Sequence, residues 1–193
     1  MYEYITGKIA ETAPTYVVIE TASIGYHIQI SLNTYSKLQD GNTVKLYLHQ
    51  IVREDAQLLF GFADKSEREI FRLLISVSGI GANTARVMLS SLSAGEIKSA
   101  IRTDDVNILK SIKGIGAKTA QRAIIELKDK IDKTEIEEVL TASSPNKSIN
   151  EALSALIMLG FSKSPAEKAL KKIIQTNTSL NVEELVKKAL KVL

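Results

Sequence analysis

The chain has 193 residues, of which 45% are hydrophobic and 24% charged, and it carries a net charge of +3. These values are ordinary for a soluble globular protein, and no window approaches the roughly 18 consecutive apolar residues of a membrane span. There is no cysteine, which excludes disulfides, iron–sulfur clusters and zinc ribbons. Met1-Tyr2-Glu3-Tyr4 shows neither a basic n-region nor an apolar h-region, so no signal peptide is expected and the expected compartment is the cytoplasm. The charge is unevenly spread. Residues 1–63 carry 4 basic and 6 acidic side chains, residues 64–132 carry 12 and 9, and residues 133–193 carry 9 and 7.

Residues 1–63 read as strands. Val17, Val18 and Ile19 form one apolar run. Tyr26, Ile28 and Ile30 alternate with His27 and Gln29. Val44, Leu46 and Leu48 alternate with Lys45 and Tyr47, and Leu58, Phe60 and Phe62 alternate with Leu59 and Gly61. Period-two alternation of β-branched and aromatic residues predicts half-buried strands. Turn signals separate them at Ala13-Pro14-Thr15, Ser23-Ile24-Gly25 and Asp40-Gly41-Asn42. Four patterns are explicit, and a small five-stranded barrel of the OB-fold type suits their spacing. His27 and His49 fall within strand patterns and read as surface or pocket residues, and no metal site is expected.

From residue 64 the period becomes helical. Asp64 with Glu67 has the spacing of a capping box and opens a helix through Ile75. Ser93 with Glu96 does the same for a helix over 94–102, and Asp104 or Asp105 caps a helix carrying Val106, Leu109 and Ile112. A further helix runs from near Ala117 to about Lys130, and Glu135 to Leu140 could extend it by a turn. Polar residues Thr141-Ala142-Ser143-Ser144-Pro145-Asn146 predict a linker over 142–147. Beyond it, Ser148 with Glu151, Ser164-Pro165 with Glu167, and Asn181 with Glu184 each open a short helix, and Gly160 stops the first. The predicted domains are therefore 1–63, 64–141 and 148–193.

The most informative motif is duplicated. Ser78-Gly79-Ile80-Gly81-Ala82-Asn83-Thr84-Ala85 recurs as Lys113-Gly114-Ile115-Gly116-Ala117-Lys118-Thr119-Ala120, at a constant offset of 35 positions. An apolar helix precedes each copy and an amphipathic helix follows it. The glycines permit positive φ and remove the Cβ that would obstruct a ligand. Backbone N–H groups at the following helix start then favour a phosphate oxygen. Two copies suit two phosphate backbones held without reading bases. Lys118, Thr119 and Arg122 can add contacts in the second copy. The first offers the uncharged Asn83 and Thr84, so it is expected to bind more weakly. Ala117 between Gly116 and Lys118 rules out an ATP-binding loop, in which Gly directly precedes Lys.

Two further features carry chemistry. Arg53-Glu54-Asp55 falls between the last two strand patterns and reads as a hairpin tip. It is either a plain solvated turn or, on a DNA-binding protein, a pair of carboxylates that repels phosphates. Leu156-Ile157-Met158-Leu159-Gly160-Phe161 in the last domain is either core or an apolar surface for a partner, as in three-helix modules of the ubiquitin-associated type.

A β-barrel, doubled Gly-Ile-Gly hairpins, a linker and a three-helix module, together with Val52-Arg53-Glu54-Asp55-Ala56-Gln57-Leu58-Leu59-Phe60-Gly61-Phe62, closely resemble the RuvA family over the whole chain. The resemblance implies a multidomain protein, β then α: an OB-fold barrel, a tandem helix-hairpin-helix domain and a C-terminal three-helix UBA-like domain. It implies a non-catalytic subunit that binds Holliday (four-way) junction DNA and recruits the RuvB ATPase motor for branch migration. It further implies a homotetramer that can pair as an octamer, with the RuvC resolvase as a further partner and no cofactor or membrane involved. By that resemblance the DNA contacts would come from Gly79, Gly81, Asn83, Thr84, Gly114, Gly116, Lys118, Thr119 and Arg122. Glu54 and Asp55 would form an acidic pin, and Leu156, Met158, Leu159 and Phe161 would meet RuvB. The chain departs from the family pattern at Asn83, where a lysine is common, and at Ala117, where some members carry a second lysine. Its linker is also short. Two other readings compete. A helix-hairpin-helix glycosylase would need a Gly/Pro-rich loop and a catalytic Asp after the hairpin, where this chain has only Lys128-Asp129-Lys130. A plain duplex-binding repair scaffold would have no use for the acidic tip.

Overall fold

The computed structural model describes residues 1–38, 42–143, 147–176 and 180–193, with side chains described outside 132–147 and 175–179. The chain divides into two compact units, Met1–Ile131 and Asp132–Leu193.

In the first unit, β1 (Tyr4–Ala13), β2 (Tyr16–Thr21), β3 (Ile24–Ile30), β4 (Thr43–Val52) and β5 (Gln57–Phe62) close a barrel in the order β1-β2-β3-β5-β4. All pairings are antiparallel except β3 with β5, which run parallel at Gln29 opposite Phe60 and Ile30 opposite Gly61. This is an OB-like barrel. The alternation seen in the sequence places Ile28, Ile30, Leu46 and Leu48 inside, with Ile5, Ile9, Val17 and Ile19 from β1 and β2. The turn between β2 and β3 falls at Ala22 and Ser23, which both have positive φ, so Ile24 and Gly25 already belong to β3. Asp40 and Gly41 lie outside the described residues, as do Ser144, Pro145 and Asn146.

A short helix, α1 (Leu32–Tyr35), follows β3. It is capped by Ser31, whose hydroxyl accepts from the Thr34 N–H. After β5 come α2 (Lys65–Ile75), α3 (Ala82–Ser91), α4 (Ala94–Arg102), α5 (Val106–Lys110) and α6 (Ala117–Ser143). Asp64 caps α2, as expected, by accepting from the Glu67 N–H at 2.8 Å. The Glu67 side chain does not return to form a capping box. It turns inward and accepts from Ser31 and, at 2.8 Å, from Thr34. Ser93 and Glu96 form the full reciprocal box on α4. Asp105, not Asp104, caps α5, while Asp104 sits at φ +55° and pairs with Lys128.

The barrel and the helices share a core. Phe60 and Phe62 of β5 leave the barrel interior and pack on Phe71 of α2, with ring centroids 5.0 and 4.9 Å apart. The boundary expected at residue 63 is therefore a change of secondary structure within one compact unit. Phe71 is fully buried, and His49 meets it edge-on at 5.4 Å. Truncating Phe71 to Ala removes the ring on which both layers rest. The expected loss is about 3–5 kcal/mol of stability, read by chemical denaturation.

The helix starting at Ala117 is longer than the sequence reading allowed. It continues to Ser143, so Ala142 and Ser143 of the expected linker are helical. No glycine or proline occurs between Ala117 and Pro145, and the intervening Lys, Glu, Ile and Leu residues are adequate helix formers.

In the second unit, α7 (Lys147–Met158), α8 (Lys163–Thr176) and α9 (Val182–Ala189) pack around Ala152, Leu156, Ala166, Leu170 and Leu185. Asn181 and Glu184 form the expected capping box. Gly160, at φ +98°, ends the turn after α7, where its N–H donates to the Ile157 carbonyl and that of Phe161 to Leu156.

Candidate nucleic-acid interface

The two hairpins are built alike. In each, a buried apolar residue two positions beyond the first helix offers its carbonyl to the N–H of the Ile of Gly-Ile-Gly. Ile80 N–H donates to Val77 at 3.0 Å, and Ile115 N–H donates to Ile112 at 3.1 Å. Ile80 and Ile115 are buried, so each hairpin is pinned from beneath and turns its glycines outward. Gly79 and Gly114 adopt φ +95° and +94°, a conformation that L side chains rarely adopt. Gly81 and Gly116 stand at the starts of α3 and α6, where a Cβ would meet nothing within 4 Å. Their carbonyls accept the first intrahelical bonds, from Ala85 and Ala120 respectively, both at 2.9 Å. Gly81 supplies no side-chain cap, so the N–H groups of the first turn of α3 face outward without one.

Of the side chains singled out around the hairpins, Asn83 and Lys118 are exposed, and Thr84 and Thr119 are half-buried. Arg122 is exposed but partly engaged. Its guanidinium donates to the Ser78 carbonyl at 3.3 Å and lies 4.0 Å from Glu126. It thus ties the second hairpin's helix to the first hairpin's loop. Thr119 reaches the same place, with its side chain 3.9 Å from where a Cβ on Gly79 would stand. The nine residues named from the sequence therefore lie on two adjoining hairpins. Among the described residues no cluster of His, Cys, Asp or Glu could hold a metal ion. His27 stacks on Tyr16, and His49 is pushed below the usual imidazole range by burial and by Arg72 and Arg68 beside it.

Glu54 and Asp55 are exposed on the β4–β5 hairpin, which closes with the Arg53 N–H donating to Ala56 at 2.8 Å. In the C-terminal unit the four apolar candidates separate. Leu156 is fully buried in the core of the three helices, so its side chain is not available to a partner. It lies on the same face of α7 as Ala152, one helical turn away, and that face is the one that packs. Phe161 is half-buried against that core. Met158 is 89% and Leu159 60% exposed.

Sequence comparison places these features in a known order. Residues 1–61 match the RuvA N terminal domain, 71–129 the SAM-like helix-hairpin-helix tandem, and 147–193 the RuvA C-terminal domain. A protein of Christiangramia forsetii is 50% identical over 191 residues, covering 99% of both chains. One of Flavobacterium psychrophilum is 51% identical with the same coverage, and one of Bacteroides fragilis is 47% identical over 199 residues. All three are named Holliday junction branch migration complex subunit RuvA. The chain belongs to the RuvA family. The barrel, the paired hairpins and the three-helix unit are thus the family's three parts, in order and over the full length of its relatives.

What sequence reasoning missed is the polar joint between barrel and helices. Glu67 and Arg68 are charged residues buried at the start of α2. Burial pushes the Glu67 carboxyl up, against the hydrogen bonds from Ser31 and Thr34 that favour its charged form. The one available signal was that Ser31 and Thr34 could not both be solvent-facing if α1 packed on α2. A four-residue helix has too few turns to show that periodicity.

Proposed function

We propose that this chain recognises four-way DNA junctions by shape, without reading sequence, and brings the RuvB ATPase to them for branch migration. The observation that carries this reading is the pair of matched Gly-Ile-Gly hairpins in a chain whose full-length relatives bear the name of that complex. Each hairpin offers a helix start with no Cβ in front of it, suited to one phosphate backbone. Lys118 adds a charge at the second. The chain acts as a cytoplasmic homotetramer, one subunit per junction arm, built on a head-to-tail interface that closes after four copies. Pairing of two tetramers around the junction, and contact with the RuvC resolvase, belong to the same reading. The chain supplies no catalytic step, and ATP hydrolysis resides in the motor. Against a glycosylase, α6 runs unbroken past Lys128, and Asp129 lies exposed on it with no loop to hold a base. The test is ATP-driven migration of a synthetic junction by RuvB, with and without this chain. Stimulation at limiting motor supports the reading, and no stimulation at any ratio of the two contradicts it.

The acidic tip gives a second expected result. Two charges a few ångströms apart interact by about 1 kcal/mol in water and by several times that at a partly desolvated surface. Four copies of Glu54 and Asp55 near the crossover would push central phosphates aside. Glu54→Gln with Asp55→Asn should bind DNA at least as tightly as the parent and discriminate less between junction and linear duplex. A variant that loses overall affinity yet keeps its junction preference returns these residues to a plain solvated turn.

A further inference from the structure

The joint between the barrel and the first hairpin is built from directional polar contacts, buried where Ser31 and Thr34 meet Glu67 and partly buried or exposed elsewhere. Only Ala63 and Asp64 separate β5 from α2. Three sets of bonds fix the direction in which α2 leaves. On one side, Ser31, the cap of α1, and Thr34 within it both donate to the buried Glu67 carboxylate. Thr34 also accepts from the Ala63 N–H at 3.1 Å, so one hydroxyl holds both the connection and the helix. On the other side, Arg68, with only 5% of its side chain exposed, reaches back to the chain start. Its guanidinium donates to the Glu3 carbonyl at 2.9 Å and pairs with the Glu3 carboxylate at 2.5 Å. The third set joins α1 to the far end of the hairpin. Asn33 donates to the carbonyls of Leu89 and Leu92 at 2.6 and 3.0 Å, where α3 ends, and the Leu32 N–H donates to Ser90 at 3.0 Å.

These contacts share one geometric consequence. The acidic tip lies at the start of β5 and α2 begins just after its end, with the six residues of one strand between them. The angle of α2 and α3 on the barrel therefore sets where both hairpins stand relative to Glu54 and Asp55. An apolar joint alone would tolerate sliding, because burial of area has no preferred direction. Paired buried polar groups tolerate it poorly, since each displacement leaves a donor or acceptor unmet.

We propose that residues 31–34, with Glu67 and Arg68, are a positioning device: they hold the hairpins at the spacing from the acidic tip that a four-way junction requires, and so set junction selectivity separately from phosphate affinity. Asn33 and Glu67 are the positioning residues on which this is most directly tested. The proposal rests on the junction-binding reading above. None of these side chains belongs to the hairpin surface.

The experiment compares the parent with Asn33→Ala, Glu67→Ala and Glu67→Gln, as full-length chains. It measures affinity for a four-way junction and for linear duplex at fixed salt, the salt slope on duplex, and the melting temperature. For Asn33→Ala and Glu67→Ala, duplex affinity and its salt slope should stay at the parent values, because the phosphate contacts are intact. The ratio of junction to duplex affinity should fall by about fivefold or more, the equivalent of one lost hydrogen bond. Glu67→Gln should recover most of the ratio, since its carbonyl accepts one hydroxyl and its amide can donate to the other. If Glu67→Ala does not fold, Asn33→Ala decides the matter alone, because its side chain is only partly buried. A lowered melting temperature with an unchanged ratio would overturn the proposal, as would a parallel fall in both affinities. A parent without junction preference would instead remove the reading on which the proposal stands, and the parent arm reports that separately.

Discussion

Gly116→Val is expected to lower junction affinity by at least about tenfold while leaving the fold intact, because its side chain would occupy the space proposed for a phosphate. A Cβ at this position meets no protein atom within 4 Å, so the variant causes no internal clash. The cost to the protein is confined to a poorer helix start, about 1 kcal/mol for a β-branched residue at the cap. The loss to DNA is larger. Hydrogen bonds to a charged group contribute roughly 1.5–3 kcal/mol each, and every 1.4 kcal/mol is tenfold in affinity. Gly81→Val is sterically just as harmless but should weaken binding less, since Asn83 brings no charge where Lys118 does. Gly114 is a worse test site. It holds φ +94°, so a side chain there strains the backbone whatever DNA does. Filter binding on a junction at two salt concentrations, with circular dichroism as the fold control, checks this. Equal losses at Gly81 and Gly116 would contradict the asymmetry, and salt-independent binding would contradict the phosphate mode.

Met158→Asp with Leu159→Asp is expected to abolish stimulation of the RuvB motor and to leave junction binding unchanged. These two side chains are the most exposed of the apolar candidates at the end of α7, and neither contributes to the core formed by Leu156, Leu170 and Leu185. An exposed apolar pair beside a well-packed core is the usual form of a contact surface. Removing a central apolar anchor of an interface commonly costs 2 kcal/mol or more, about 30-fold in affinity. A charge in its place costs more. The contrast with Leu156 is informative. Leu156→Asp would also abolish stimulation, but by unfolding the three-helix unit, which melting would reveal. Normal branch migration by the Met158/Leu159 variant would place the motor contact elsewhere on residues 147–193.

Legibility of this fold in its sequence followed periodicity. Strands β2 to β5 were readable because their apolar residues alternate. β1 was not singled out, and its pairing with β2 shifts register between Ile9 and Glu11, so its two-residue period breaks midway. The hairpins were readable because a motif written twice at one offset is improbable without a shared structure. α6 runs beyond the end expected near Lys130 because the polar stretch before Pro145, which reads as a linker, holds nothing that stops a helix. The apolar run Leu156–Phe161 leaves core and surface open, because six such residues do not reveal which side faces inward until their neighbours are placed, and the family resemblance alone points Leu156 at a partner, whereas it lies in the core. The joint at Glu67 and Arg68 was illegible for a different reason. Its partners come from Ser31, Thr34 and Glu3, more than thirty positions away, and a Glu three residues after Asp64 has an obvious local role at a helix start.

On the proposed reading, the paired hairpins and the acidic tip select a four-way junction by shape. Gel shift of the parent chain against a four-way junction and a linear duplex of equal length, in EDTA and at several salt concentrations, tests it most directly. The junction should bind more tightly at every salt concentration, both affinities should fall steeply as salt rises, and neither DNA should be altered. Equal affinity for the two DNAs, or a requirement for a divalent cation, would contradict it.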